Sequence, residues 1–182
     1  MKRKHNRGGY GLGYRLWLLP LLGSFAAQGA DNMKFHGALV AEPCVIPAGK
    51  ENLQLEFGTL VDKYLYLNQR THGQRFELPL ADCDLSLGAS VKVTFSGDEN
   101  PTLPGRLALA AGSQASGIAI GMETADGTHL PLNKSGQKIP LAKGSNVIVF
   151  KAYVEGEPEA IANKTIERGP FSAVATFKLE YE

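Results

Sequence analysis

Residue types that build reactive or metal-binding sites are scarce in this chain. Its 182 residues include only two cysteines and four histidines. Neither Cys44 nor Cys83 belongs to a Cys-x-x-Cys pair or has a histidine at metal-ligand spacing. His36, His72 and His129 lie far apart along the chain and read as surface residues, and no Gly-x-Ser-x-Gly segment occurs. We therefore predict that the protein is not an enzyme and binds no metal or cofactor.

The chain also lacks an apolar run of the roughly 20 residues that cross a bilayer. Its longest apolar stretch, residues 16–22, follows the basic Lys2, Arg3, Lys4 and Arg7 and precedes a run of small residues at 26–30. This order is typical of a secretory signal peptide. We predict that residues 1–30 are removed, that the protein is exported, and that no membrane anchor remains.

Charge of one sign does not dominate the exported part. Residues 1–30 carry five of the 19 basic residues and none of the 18 acidic ones, which leaves a net charge near −4. A mildly acidic surface without a basic run argues against a nucleic-acid partner. About 150 residues suit a single domain. Because the export signal sends Cys44 and Cys83 to an oxidising compartment, we expect them to form one disulfide rather than two buried thiols.

Alternating apolar residues dominate the exported part, with Gly, Pro, Asn and Asp between them. This pattern indicates an all-β sandwich, and no long amphipathic helix is visible. Apolar side chains occupy the odd positions from Phe171 to Tyr181, so one face of this last strand is predicted to be buried. Gly37 lies on the apolar face of the first predicted strand. Glycine weakens a strand, so its presence there indicates that another part of a protein approaches the backbone closely. The predicted strands are residues 35–41, 53–57, 76–80, 91–95, 118–122, 147–154 and 171–181.

These motifs together resemble the chaperone–usher pilins, the type 1 and P-pilus class of fimbrial subunit, over residues 31–182. Within that family the resemblance is greatest to the adaptor that joins the tip of P-type pili to the rod. The matching segments are Phe35-His36-Gly37, Pro43-Cys44, Phe57-Gly58, Phe76-x-Leu78-x-Leu80-x-x-Cys83, Val91-x-Val93-x-Phe95-x-Gly97, Ser116-Gly117-Ile118-x-Ile120, Asp126-Gly127, Phe150-x-Ala152-Tyr153 and Gly169-Pro170-Phe171 through Tyr181.

The resemblance implies an immunoglobulin-like sandwich that lacks its seventh strand, in residues 43–182, preceded by a donor-strand extension in residues 31–42. It implies a periplasmic chaperone, an outer-membrane usher and neighbouring pilin subunits as partners, by strand complementation and exchange. The residues expected to be donated are Phe35, Gly37, Leu39 and Ala41. The edge expected to accept a strand and bind the chaperone comprises Gly169, Phe171, Ala173, Ala175, Phe177, Leu179, Tyr181 and Glu182, with basic chaperone side chains holding the carboxylate of Glu182.

Other functions stay open at the level of the sequence. A self-sufficient periplasmic β-sandwich that binds a ligand is the alternative outside the fibre class, and a rod or terminator subunit is the alternative within it. A tip adhesin carries a receptor-binding domain ahead of its pilin domain, and the exported chain has room for one domain only. We therefore expect a fimbrial location at the cell surface and no direct sugar ligand.

Overall fold

Two antiparallel sheets face each other in the computed structural model, which describes residues 38–182. One sheet has the strand order β1-β6-β3-β4 and the other has the order β5-β2-β7. A short helix, α1 (Asp62–Asn68), precedes the first strand, and a second, α2 (Pro158–Asn163), lies between the last two strands. The strands are β1 (Gln74–Cys83), β2 (Ser90–Ser96), β3 (Ile118–Thr124), β4 (His129–Leu130), β5 (Ile139–Pro140), β6 (Gly144–Gly156) and β7 (Thr176–Tyr181).

The core lies between the two sheets because alternate residues of each strand point inward. In β6 the even positions from Ile148 to Val154 are buried. Three aromatic rings join the sheets: the Phe95 ring lies 5.1 Å from that of Phe150 and 6.0 Å from that of Phe76. The two edge-to-face contacts within this cluster are a favourable arrangement for aromatic rings.

The predicted all-β class is confirmed, and five of the predicted strands overlap with β1, β2, β3, β6 and β7. The disulfide between Cys44 and Cys83 is also present. It fastens the segment before α1 to the end of β1, next to backbone hydrogen bonds between Val45 and Ala81.

Three strand predictions differ from the structure. Residues 53–57 keep an alternating burial pattern but form no strand, because their backbone pairs with no described segment. The last strand begins at Thr176 rather than Phe171, because Pro170 and Ser172 hydrogen-bond to the loop at residues 110–115 instead of to β2. Residues 35–37 of the predicted first strand lie outside the described part of the chain, and residues 38–41 form no strand.

The outer face of the larger sheet carries a second buried layer around Tyr153. This ring packs over Gly121 on the neighbouring strand, where a Cβ atom would lie 2.3 Å from the ring. The guanidinium of Arg70 lies 4.2 Å from the ring centroid and pairs with the buried carboxylate of Glu123 at 2.9 Å. Desolvation raises the pKa of the Tyr153 phenol. The layer fixes the turn after α1 against the sheet.

His129 belongs to this layer, so the prediction of a plain surface histidine was wrong for this residue. Its Nδ1 lies 3.1 Å from the carbonyl oxygen of Met122, and its Nε2 contacts the guanidinium of Arg106. Arg106 also pairs with Glu155 at 2.6 Å. Desolvation, and then the positive charge of Arg106, lower the pKa of His129. His72, in contrast, is exposed and contacts the hydroxyl of Tyr64.

None of the helices described for residues 38–182 is long and apolar enough to cross a membrane.

Candidate functional site

Strand β7 forms one edge of the smaller sheet, and its apolar side chains are only half covered. Phe177, Leu179 and Tyr181 point towards the core, in register with Phe95, Val93 and Val91 of β2. Their partners on β2 are buried, whereas all three β7 residues remain partly exposed. The cover is therefore missing on the side of β7 that faces away from β2.

The backbone of β7 is unpaired on that same side. In an antiparallel ladder, residues alternate between facing the partner strand and facing away from it. Glu182 exchanges both backbone hydrogen bonds with Ser90, which sets the phase of the alternation. The N–H and C=O groups of Tyr181, Leu179 and Phe177 accordingly point away from β2, and within residues 38–182 none of them has a backbone partner. These six groups are a template for another strand.

A second row of half-buried apolar side chains lies in residues 53–57, and its Phe57 lies next to Phe171 in the segment that leads into β7. Leu53, Leu55 and Phe57 pack against the core, while the residues between them are exposed. In the described chain, the only hydrogen bond to the backbone of residues 51–60 is donated by the side chain of Gln74 to the carbonyl of Phe57, at 3.3 Å. Two unpaired segments with inward apolar rows flank what we call the open groove. Its rows are Leu53, Leu55 and Phe57 on one side, and Phe171, Ala173, Ala175, Phe177, Leu179 and Tyr181 on the other.

In the row that leads into β7, the first part, from Phe171 to Ala175, is held by a loop rather than by a strand. Ser172 accepts a hydrogen bond from the amide of Ala110, and Phe171 stacks near Phe57 with 6.2 Å between ring centroids. Gly169 passes so close to this loop that a Cβ atom would lie 2.6 Å from that of Gln114. Because residue 169 is a glycine, the chain can pass against the loop at residues 110–115 just before Phe171 begins its row of the groove.

The other end of the groove lies at Tyr181 and Glu182. The Tyr181 hydroxyl is buried without a hydrogen-bond partner in the described chain, and desolvation raises the pKa of its phenol. The Glu182 carbonyl accepts hydrogen bonds from the amides of Ala89 and Ser90. Lys92, at 2.5 Å, lowers the pKa of the Glu182 side-chain carboxyl. These contacts hold this end of β7 in place.

The segment expected to be donated projects away from the core as far as the structure describes it. Phe35 and Gly37 lie outside the described residues. Leu39 is fully exposed, and Ala41 is exposed too. The chain becomes buried at Pro43, next to the disulfide. Residues 39–42 therefore add nothing to the core of their own domain.

The sequence predicted the β7 row, but it missed the opposite wall as part of the site. The alternation at residues 53–57 predicts an ordinary strand. Alternation reports which side chains face inward, while the absence of a pairing partner depends on the order of strands in the sheets. No group of three or more His, Cys, Asp or Glu side chains in residues 38–182 is arranged to hold a metal ion.

The geometry defines a class of protein: an all-β, immunoglobulin-like sandwich that is not closed. The family model described as "Fimbrial protein" matches residues 33–182. PmfF of Proteus mirabilis, which is named as a minor fimbrial subunit, is 34% identical over 152 residues, covering 82% of this chain and 84% of the relative.

Two further proteins are similar as well. The fimbrial adapter PapK of Escherichia coli is 30% identical over 158 residues, covering 84% of this chain and 88% of PapK. The crystal structure of the P pilus rod subunit PapA superimposes with a TM-score of 0.66 at 25% identity, covering 78% of this chain and all of PapA.

The chain belongs to the fimbrial protein family of chaperone–usher pili. It is a structural subunit of a fimbria and not an enzyme.

Proposed function

We propose that the open groove accepts a strand, first from a periplasmic chaperone and then from a neighbouring subunit, and that an outer-membrane usher brings about the exchange. The observation that carries this proposal is the free side of β7. Six backbone hydrogen-bonding groups and two apolar rows lie together there without cover. An added strand meets both needs at once, since its backbone pairs with β7 and its alternate side chains fill the groove.

The energy involved explains why the groove needs an occupant at every stage. About five apolar side chains at about 2 kcal/mol each amount to about 10 kcal/mol, which is comparable with the stability of a whole domain. An exposed strand edge also recruits other edges and promotes aggregation. A chaperone strand covers the groove before assembly, and the strand of a neighbour covers it afterwards.

The N-terminal extension, residues 31–42, supplies the strand that fills the groove of a neighbouring subunit. Phe35, Gly37, Leu39 and Ala41 alternate in the way that a strand filling a groove requires. The full exposure of Leu39 supports a role outside its own domain. We assign residues 31–42 to donation, residues 43–182 to the accepting domain, and residues 1–30 to a cleaved export signal. The subunit reaches the cell surface through the periplasm.

Within the fibre we propose the role of a minor adaptor subunit. The names of PmfF and PapK support it, since one is named as a minor subunit and the other as an adapter. A rod subunit is the competing role, because relatives at 29% identity include the major MR/P fimbria protein of Proteus mirabilis.

Co-expression with the chaperone and usher of the same fimbrial system tests the proposal. We expect the chain to be recovered only with the chaperone, and labelling of an epitope-tagged chain to mark one position per fibre, between tip and rod. Labelling along the whole fibre would assign a rod subunit instead. A stable monomer that neither binds the chaperone nor enters fibres would point to a self-sufficient binding protein.

A further inference from the structure

The hydroxyl of Tyr181 is a buried polar group to which the described chain gives no hydrogen bond. Among the buried side-chain oxygen and nitrogen atoms of residues 38–182, it is the only one without a partner. The buried Asn100 shows the ordinary case, since its side-chain amide donates to Glu157 at 2.8 Å. A hydroxyl that contacts neither water nor a partner costs stability, so the missing partner is to be sought outside these residues.

Tyr181 lies at one end of the open groove, among apolar neighbours. Its side chain points towards the core, in register with the buried Val91 of β2. Gly88 lies beside it, since a Cβ atom added there would be 2.9 Å from the ring of Pro43 and 3.5 Å from the Cβ of Tyr181. None of these three side chains offers a hydrogen-bond acceptor. Desolvation raises the pKa of the phenol, so the hydroxyl keeps its proton at neutral pH and acts as a donor.

Glu42 is the competing partner within the chain. It immediately precedes Pro43, and its negative charge adds to the effect of desolvation on the pKa of the Tyr181 phenol. However, Glu42 is exposed, and no hydrogen bond joins its carboxylate to the Tyr181 hydroxyl. It also belongs to the extension that we assign to donation to another subunit. A substitution at Glu42 therefore tests this alternative.

A strand added beside β7 brings new side chains to this point. Every strand pair described in the two sheets is antiparallel. A strand that continues this pattern beside β7 has its N-terminal end next to Tyr181. Its residue opposite Tyr181 faces the same side of the sheet, with the two Cβ atoms about 5 Å apart. The side chain of that residue therefore runs alongside the Tyr181 ring towards the hydroxyl.

The position of the hydroxyl decides which kind of side chain can reach it. The hydroxyl lies at the far end of the aromatic ring, whereas the oxygen of a serine is bonded to Cβ and stays close to the backbone. Asparagine and glutamine carry a carbonyl oxygen further out, and they are uncharged, so their burial costs less than that of a carboxylate. An aliphatic side chain at the same position would bury the Tyr181 hydroxyl further and leave it unpaired.

We propose that Tyr181 helps to select the strand that fills the groove: the N-terminal extension of the neighbouring subunit places an asparagine or glutamine opposite Tyr181, and the side-chain oxygen accepts a hydrogen bond from the hydroxyl. This inference rests on the proposed strand donation and names a property of the donated strand. A site that binds a polar group through a buried hydrogen bond discriminates against an apolar analogue, because the buried group of the site is then left unpaired.

Pairs of synthetic peptides with similar shape and different polarity test this requirement. Each peptide carries the N-terminal extension of the neighbouring subunit from the same fimbrial system. A pair differs by glutamine against methionine, or asparagine against leucine, at the first inward position, and a second set of pairs differs at the next inward position. The chaperone complex of residues 31–182 receives both peptides of a pair in equal amounts. Mass spectrometry gives the ratio of the peptides taken up, and urea unfolding compares the stability of the two filled domains.

Four forms of the domain are compared: the unaltered chain, Tyr181→Phe, Glu42→Ala and the control Tyr64→Phe, whose hydroxyl contacts the exposed His72. We expect the unaltered domain to favour the asparagine or glutamine peptide about fivefold at one of the two positions, because the hydrogen bond is made only with that peptide. Tyr64→Phe and Glu42→Ala should keep this preference. Tyr181→Phe should lose it or favour the apolar peptide.

The same peptide ratio in Tyr181→Phe as in the unaltered domain would overturn the inference and leave strand donation intact. A preference that appears only in Glu42→Ala would also overturn it, because Glu42 would then be the partner of the hydroxyl in the unaltered chain. Failure of the unaltered domain to take up any of the peptides would contradict the proposed strand donation instead.

Discussion

The ring of Phe57 lies 6.2 Å from the ring of Phe171, yet no backbone hydrogen bond joins the two segments that carry them. In a closed sandwich, apolar rows this close to a sheet edge are covered by a further strand. Here both rows stay half-buried from end to end, and the outward side of β7 has no partner in the described chain. The missing strand is the central feature of this domain.

Glycine at position 37 should matter for donation and not for folding. We expect Gly37→Leu to leave recovery of the chaperone complex unchanged, because the extension lies outside its own core. Its side chain should overpack the groove of the neighbour and weaken the joined state by about 1–3 kcal/mol. Ala38→Leu is the matched control, since alternate positions of a donated strand face away from the groove. Equal losses for the two variants in a strand-exchange assay would count against this assignment.

Phe177 should be required on the accepting side. Phe177→Ala removes an aromatic side chain from the β7 row and should cost about 3 kcal/mol once a strand covers the groove. We expect the chaperone complex to be lost in a pull-down assay. Val174→Ala, on the exposed side of the same segment, should retain the complex. The assignment of the edge fails if both variants bind the chaperone equally well.

The disulfide should stabilise the domain through the unfolded state. Cys44 and Cys83 are 39 positions apart, and closing a loop of that length contributes about 4 kcal/mol. Replacing both by serine should lower the periplasmic yield of the chaperone complex several-fold. A yield equal to that of the unaltered chain would show that the packing next to Val45 and Ala81 is sufficient without the bond.

Stability should fall on acidification because of His129. Its pKa in the folded state is lowered by desolvation and by Arg106, so the unfolded chain, with a pKa near 6.5, takes up a proton that the folded chain resists. The stabilisation is complete above about pH 6.5 and is lost as the pH falls towards the folded pKa. Urea unfolding between pH 7.5 and 5 measures it, on the domain whose groove is filled by a peptide of the neighbouring subunit's N-terminal extension. The decrease should be smaller in His129→Gln and unchanged in the control His72→Gln.

The sequence predicted the parts of this domain in which the side-chain pattern and the backbone pairing agree. In β6 and β7 alternation gave both the strand and its buried face. At Leu53, Leu55 and Phe57 alternation again gave the buried face but not the backbone, because pairing requires a partner that the described chain does not supply. Helix α1 has only seven residues, too few for a clear helical period, and the sequence did not predict it for that reason.

Contacts between segments that are distant along the chain also could not be predicted from the sequence. The sequence around His129 does not show that its ring contacts Arg106, because the two residues are 23 positions apart. Glu182 is held by the amides of Ala89 and Ser90 and by the ammonium groups of Lys92 and Lys138, which come from three different segments of the chain. Neither arrangement leaves a local pattern from which it could be read.

The most direct test of the account is whether a single added strand turns an unstable domain into a stable one. Residues 31–182, released from the chaperone in denaturant, are refolded with and without an excess of a synthetic peptide, and both samples are examined by gel filtration and thermal unfolding. The peptide carries the N-terminal extension of the neighbouring subunit from the same fimbrial system. The account predicts aggregation without the peptide, and with it a monomeric domain that unfolds cooperatively. A stable monomer without the peptide, whose melting temperature the peptide does not change, would contradict it.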